Sequence, residues 1–276
     1  MKSILVPTDF SSSANNAALY AAAIAKEVNA KLILLHSFQV PVPPSDIPAT
    51  AISIDDLQEN NERFLRKEAN RIQRHYHVEI EIITEPGFAV EEIHAVEKNK
   101  KPDMIIMGTR GAGKIKEVII GSTATAVIRG AQTPVLLIPE KAEFVKPEKI
   151  ILACDYKVGI NLNDLSFLKY LAEKLNSEIY LVNIVPDKEA ISSAEKGVEA
   201  LKVGHYFGNV KCSNHFPQNK DFILGMDEFS HTHKAAMITI ISQKHNLLER
   251  LFSESHTTRM AFHSKLPLLA LPGTHK

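Results

Sequence analysis

The chain repeats itself. Lys2 to Asp9 reads KSILVPTD and Lys149 to Asp155 reads KIILACD, an apolar run closing on an aspartate both times. The correspondence continues. The helix-like Leu165–Asn176 parallels Ala14–Ala30, and Glu178–Val185 parallels Lys31–Phe38. Ala236–Ile241 parallels Asp103–Gly108, and Pro267–Pro272 parallels Pro134–Pro139. A repeat this long is a whole supersecondary assembly copied, not a small solenoid unit. Within the first copy, short apolar strands alternate five times with helix-like stretches. That pattern requires a parallel sheet covered on both faces, with right-handed crossovers. The expectation is an α/β chain of two tandem domains, residues 1–140 and 147–276, each an open, mostly parallel five-stranded sheet with helices on both faces. Pro139–Pro147 reads as the linker, and a chain of 276 residues has room for both domains.

Several elements announce their ends. Ser11 or Ser12 can cap the first helix, and Asp9 falls at a strand's C-terminal edge, where open parallel sheets bind ligands. Val40–Ala51 holds Pro41, Pro43, Pro44 and Pro48, so it reads as a rigid, non-helical loop. Ile54–His75 is a charged amphipathic helix with Leu57, Phe64, Leu65 and Ile72 near one stripe. Val78–Thr84 alternates apolar and acidic residues, as a strand near an edge does. The second half reads as shorter between Val185 and Thr239, with less helix and a polar run over Gly208–Lys220.

The stretch Met104–Pro139 carries the chemistry. The buried strand Met104–Met107 runs into Gly108 and Gly111, and after nine more residues come Gly121-Ser122-Thr123 and the helix-like Ala124–Arg129. Strand, glycine loop and helix start is an arrangement that holds phosphates, because bare amides can approach an anion and a helix N-terminus favours negative charge. Ser122 and Thr123 stand where a hydroxyl can cap the helix and touch phosphate. Gly108–Lys114 also fits the G-x4-G-K core of a P-loop. Ile115, however, occupies the place where that motif needs a serine or threonine for magnesium, so the match reads as accidental.

Gly108-x2-Gly111-x9-Gly121-Ser122 after an apolar strand, together with the start Val6-Pro7-Thr8-Asp9-Phe10-Ser11, resembles the nucleotide-binding signature of the universal stress protein family. The resemblance covers the first half, and the second half is similar to a degenerate copy. It implies Rossmann-like domains of the adenine nucleotide alpha hydrolase type, and an ATP-binding stress-response regulator or sensor with little or no hydrolysis. It places the adenine end against Pro7, Thr8, Asp9 and the backbone of Ser37. The ribose and phosphates fall along Gly108, Arg110, Gly111, Gly121, Ser122 and Thr123. It also implies that the last strands, Pro134–Ile138 and Pro267–Leu271, meet inside one chain as a pseudo-dimer. A further homodimer, and magnesium beside the ATP, are left open. Asp9 taken alone also reads as a turn carboxylate, and Arg110 as a solvated loop residue.

Aligning the closing strands sets Gly108 against Ile241, Gly111 against Lys244 and Gly121 against Glu254, with only Ser255 matching Ser122. Side chains then stand where backbone would meet phosphate, so the second half is not expected to bind ATP in the family manner. Two other readings stay open: a slow ATPase or nucleotide-dependent enzyme, and a nucleotide-free interaction module. No nucleophile elbow, catalytic constellation or general base stands out, so any hydrolysis should be slow and no catalytic residue is named.

Charge and cysteines exclude other classes. Lys plus Arg and Asp plus Glu are 32 each, which gives no overall pull toward nucleic acid or anionic membrane. Cys154 and Cys212 make neither a disulfide framework nor a zinc pattern. Cys212-x2-His215 and His231-x-His233 are too loosely spaced for a tetrahedral set, so no metal is assigned. The absence of a signal-peptide layout or a long apolar run leads to a cytoplasmic expectation.

Overall fold

The computed structural model describes residues 1–40, 54–110, 120–154, 156, 160–186, 193–242 and 266–273. The first half runs β1 (Ser3–Pro7), α1 (Ser12–Val28), β2 (Lys31–Phe38), α2 (Ile54–Tyr76), β3 (Ile80–Pro86), α3 (Ala89–Lys100), β4 (Met104–Gly108), α4 (Ser122–Gly130) and β5 (Val135–Ile138). The second runs β6 (Lys149–Ala153), a 3-10 turn at Leu162–Leu165, α5 (Ser166–Leu175), β7 (Glu178–Val182), α6 (Ser193–Phe207), β8 (Cys212–His215), α7 (Phe222–His233), β9 (Met237–Ser242) and β10 (Leu268–Pro272).

The ten strands among the described residues join one sheet, in the order β3-β2-β1-β4-β5-β10-β9-β6-β7-β8. Each half is a parallel five-strand array, and the arrays meet where β5 pairs antiparallel with β10, Leu137 opposite Leu268 and Val135 opposite Ala270. The strands alternate side chains between the two faces. Ile4 and Val6 join a core with α1, α2, α5 and α6, whereas Leu5 joins a second core with α3, α4 and α7.

The strand pairings test the internal repeat residue by residue. Ile4 pairs with Met104 as Ile150 pairs with Met237, so Thr8 corresponds to Cys154 and Gly108 to Ile241. The second half holds more structure than its sequence suggests. β8 lies inside the polar run, and α6 and α7 flank it. A four-residue edge strand needs no alternating pattern, and Cys212–His215 has none of its residues fully buried. The segment after β5 is no free tether. Asn16 Nδ2 donates to the carbonyls of Pro139 and Ala142, both at 2.9 Å. Tyr20 meets Phe144 edge-on at 5.1 Å, and Lys146 pairs with Glu27 at 3.3 Å. The linker is therefore strapped along α1.

Among the described residues, no helix is long and apolar enough to cross a membrane.

Candidate functional site

The C-terminal ends of β1, β2 and β4 form one rim. Counting on from the Ile4–Met104 pair places Thr8 level with Gly108, and Pro7 pairs with Leu35, two residues before Ser37. Thr8 is buried, its N–H donating to the Leu35 carbonyl at 2.8 Å. Asp9 is exposed, and its Oδ1 accepts from the Ser11 N–H at 3.0 Å, an Asx-type turn into α1. Ser11 caps that helix, its Oγ accepting from the Ala14 N–H at 3.2 Å. Pro7 and Ser37 are half-buried on the same rim.

Across the rim lies the base of the glycine loop. Thr109 N–H donates to the Ile138 carbonyl at 3.1 Å, and Gly121 N–H donates to the Thr109 carbonyl at 2.7 Å, which pins the two ends of the loop together. Arg110 is half-buried beside that pin. Gly121, not Ser122 or Thr123, is the N-cap of α4, and no side chain caps it. Ser122 is exposed in the first turn and Thr123 follows half-buried, so the expected hydroxyl cap is replaced by open amides. Uncapped first-turn amides with the helix dipole behind them suit an anion. Gly111, Lys114 and Ile115 lie outside the described residues. The structure thus gathers Pro7, Thr8, Asp9, Ser37, Gly108, Arg110, Gly121, Ser122 and Thr123 on one rim.

Gly108 has a reason for being glycine that the sequence concealed. A Cβ there would stand 2.4 Å from Ser13 Oγ and 2.9 Å from the Ser13 carbonyl carbon. The start of α1 occupies that space, so the missing side chain lets helix and strand approach. Ser13 Oγ is buried with no hydrogen-bond partner.

Two rim residues, Phe10 and His36, hold places that the sequence did not reveal. Phe10 adopts φ +62°, a strained conformation for a bulky side chain and one that clusters at functional sites. It is held by its N–H donating to Thr8 Oγ1 at 3.1 Å and its carbonyl accepting from Asn15 Nδ2 at 3.1 Å. His36 bonds through Nδ1 to the Thr8 carbonyl at 2.8 Å and meets the Phe10 ring at 4.5 Å. The second half reproduces this bond with another residue type, Asn183 Nδ2 donating to the Cys154 carbonyl at 2.8 Å. The signal was present in the repeat, since His36 in β2 and Asn183 just past β7 hold equivalent positions beside Thr8 and Cys154.

At the second rim, Ile241 is buried in the core with Leu271, so the place of Gly108 is filled. Asp155, Lys244, Glu254 and Ser255 lie outside the described residues, as do His245, His256 and His263. His215 is enclosed by Tyr180 at 4.8 Å, Phe229 at 4.9 Å and His233 at 5.3 Å. Burial, then the His233 charge, push its pKa below the ordinary imidazole range. Burial and Glu178 push the Cys212 thiol up to about 12. Among the described residues, no group of three or more His, Cys, Asp or Glu could hold a metal.

A doubly wound sheet with a glycine loop at its strand ends defines the Rossmann-like class of ligand-binding α/β proteins. Within that class, the chain belongs to the universal stress protein family, whose model matches residues 1–139. The universal stress protein MJ0531 of Methanocaldococcus jannaschii is 31% identical over 140 residues, 50% of this chain and 81% of that protein. MJ0577 of the same organism is 29% identical over 155 residues, 51% of this chain and 96% of that protein. The crystal structure of a universal stress protein from Archaeoglobus fulgidus covers 98% of both chains with a TM-score of 0.75 at 20% identity, a likeness of fold across both halves.

Proposed function

We propose that this chain is a regulatory or sensor universal stress protein that binds ATP on the rim of its first half and turns it over slowly or not at all. One observation carries the reading: the loop with spacing Gly108-x2-Gly111-x9-Gly121-Ser122 springs from the strand-end rim, its ends pinned by the Gly121–Thr109 bond, at a helix start that no side chain caps. In this reading Pro7, Thr8, Asp9 and Ser37 receive the adenine end, and Arg110 and the α4 amides receive phosphate. The two halves, 1–140 and 147–276, act as an internal pseudo-dimer joined by β5 and β10, and the second half carries no nucleotide because Ile241, Lys244 and Glu254 stand where the first has Gly108, Gly111 and Gly121. The setting is cytoplasmic. In this reading the protein is a binder that shifts between states as ATP comes and goes.

The test is mass spectrometry of small molecules released on denaturing the purified protein, followed by ATP titration with and without magnesium. One ATP per chain should bind and should be recovered uncleaved in a single-turnover assay. Gly111→Val should weaken binding by about tenfold or more without lowering the melting temperature. Rapid cleavage would make the protein an ATPase, and unchanged retention in Gly111→Val would remove the proposed site.

A further inference from the structure

Helix α2 presents a face the nucleotide reading does not use. Its buried residues are Leu65, Ala69 and Ile72. On the helical wheel Arg63, Lys67 and Arg74 fall on the opposite side, with Arg66 on the flank. A groove of about 870 Å³ is lined by these four with Phe64, Asn70, Arg71 and the single carboxylate Glu68, and it reaches Phe10 and Asn15 on the α1 side. Phe64 is 56% exposed and lies 6.5 Å from the Phe10 ring, so an apolar ring stands beside the charges. Arg66 is paired with Glu62 and Arg71 with Glu68, whereas no carboxylate pairs with Lys67 or Arg74 among the described residues.

We infer that this face docks a short acidic segment of another protein, an apolar side chain of that segment seated on Phe64. Charge complementarity names the partner, because guanidinium groups grip carboxylates in bidentate fashion and a neighbouring apolar platform fixes register. The extent of the patch argues for a short occupant. From Arg63 to Arg74 the helix rises ~17 Å, about five residues of extended chain. Toward the helix start the charge reverses, with Asp55, Asp56, Glu59 and Glu62. A long polyanion laid along α2 would meet that repulsion, whereas a short acidic stretch stops before it. The docking face does not depend on whether ATP binds.

The experiment titrates the full chain into a fluorescein-labelled octapeptide, EEDFEEDE, by fluorescence anisotropy at low salt, with EEDSEEDE and single-stranded octathymidylate as companions. EEDFEEDE should bind saturably, weaken as salt rises, and outbind both companions. Lys67→Glu combined with Arg74→Glu should weaken it by about tenfold, and Phe64→Ser by about fivefold. Both variants change exposed residues and should melt as the parent does, which circular dichroism checks. No saturable binding up to millimolar protein, equal binding by the doubly reversed variant, or tighter binding of the oligonucleotide would each overturn the inference.

Discussion

Replacing Gly108 by alanine separates two reasons for a glycine at this position. If the residue served only to bare its amide to phosphate, Gly108→Ala would cost affinity and leave stability alone. The structure says otherwise. The new Cβ would lie 2.4 Å from Ser13 Oγ, 2.9 Å from Ser13 C and 3.0 Å from Ser13 O. The hydroxyl can swing aside, but the two backbone atoms belong to the first turn of α1 and cannot. Restoring ordinary contact requires α1 to move from β4 by roughly half an ångström, and such overpacking costs about 1–3 kcal/mol. For a chain of this size that is a fall of about 3–10 °C in melting temperature. The assay is thermal melting of Gly108→Ala, Ser13→Ala and the double variant without nucleotide. Ser13→Ala alone removes an unpartnered buried hydroxyl and should melt at or slightly above the parent. The double variant should recover less than half of the loss, since the carbonyl remains. A Gly108→Ala melting point within about 1 °C of the parent, or full recovery in the double variant, would refute the packing argument.

Glu97, buried on α3, accepts from the N–H groups of Gln132 at 2.8 Å and Thr133 at 2.7 Å and pairs with His94 at 3.1 Å, fastening the turn between α4 and β5. Glu97→Ala strands two donors and should destabilise by about 2–5 kcal/mol in urea denaturation, and Glu97→Gln by about half as much. A loss under about 0.5 kcal/mol would show that water replaces the carboxylate. His215, faced by Ser213 on its own strand, Tyr180 and Glu178 on β7, and Phe229 and His233 on α7, has a folded pKa below the ordinary 6.5. The unfolded chain therefore takes the proton first. Stability is fully present above pH 6.5 and falls as pH drops from there through the lowered value, levelling off below it. Urea midpoints at pH 7.5, 6.0 and 5.0 should show this slope, and His215→Phe should flatten it; an unchanged slope in the variant would place the titrating group elsewhere.

Much of the fold was readable from residue order because buried parallel strands write themselves as apolar runs. Ile4–Val6, Leu32–Leu35, Met104–Met107 and Val135–Ile138 each stand out that way, and the second half announces itself by repeating them. What escaped has a common cause. β8 is held by its neighbour β7 through main-chain bonds, so Cys212–His215 needs no apolar signature. Phe10 is driven into a left-handed conformation by Thr8, Asn15 and His36, contacts no local propensity encodes. Gly108 was singled out correctly as a site residue, but its closest neighbour, Ser13, lies far back in the chain. The cap of α4 was placed one or two residues late because serine and threonine are the stronger capping residues, and here Gly121 takes the role with its backbone alone.

The antiparallel joint between β5 and β10 has a consequence for the inner edges of the two arrays. A strand row with unmet amides invites another chain, and each half shields the inner row of the other with wholly buried leucines. A fragment ending at Pro139 would leave Val135–Ile138 uncovered, and its readiest cover is the same strand from a twin fragment. The second half thus keeps permanently covered, from within the same chain, the strand row that the first half alone would expose.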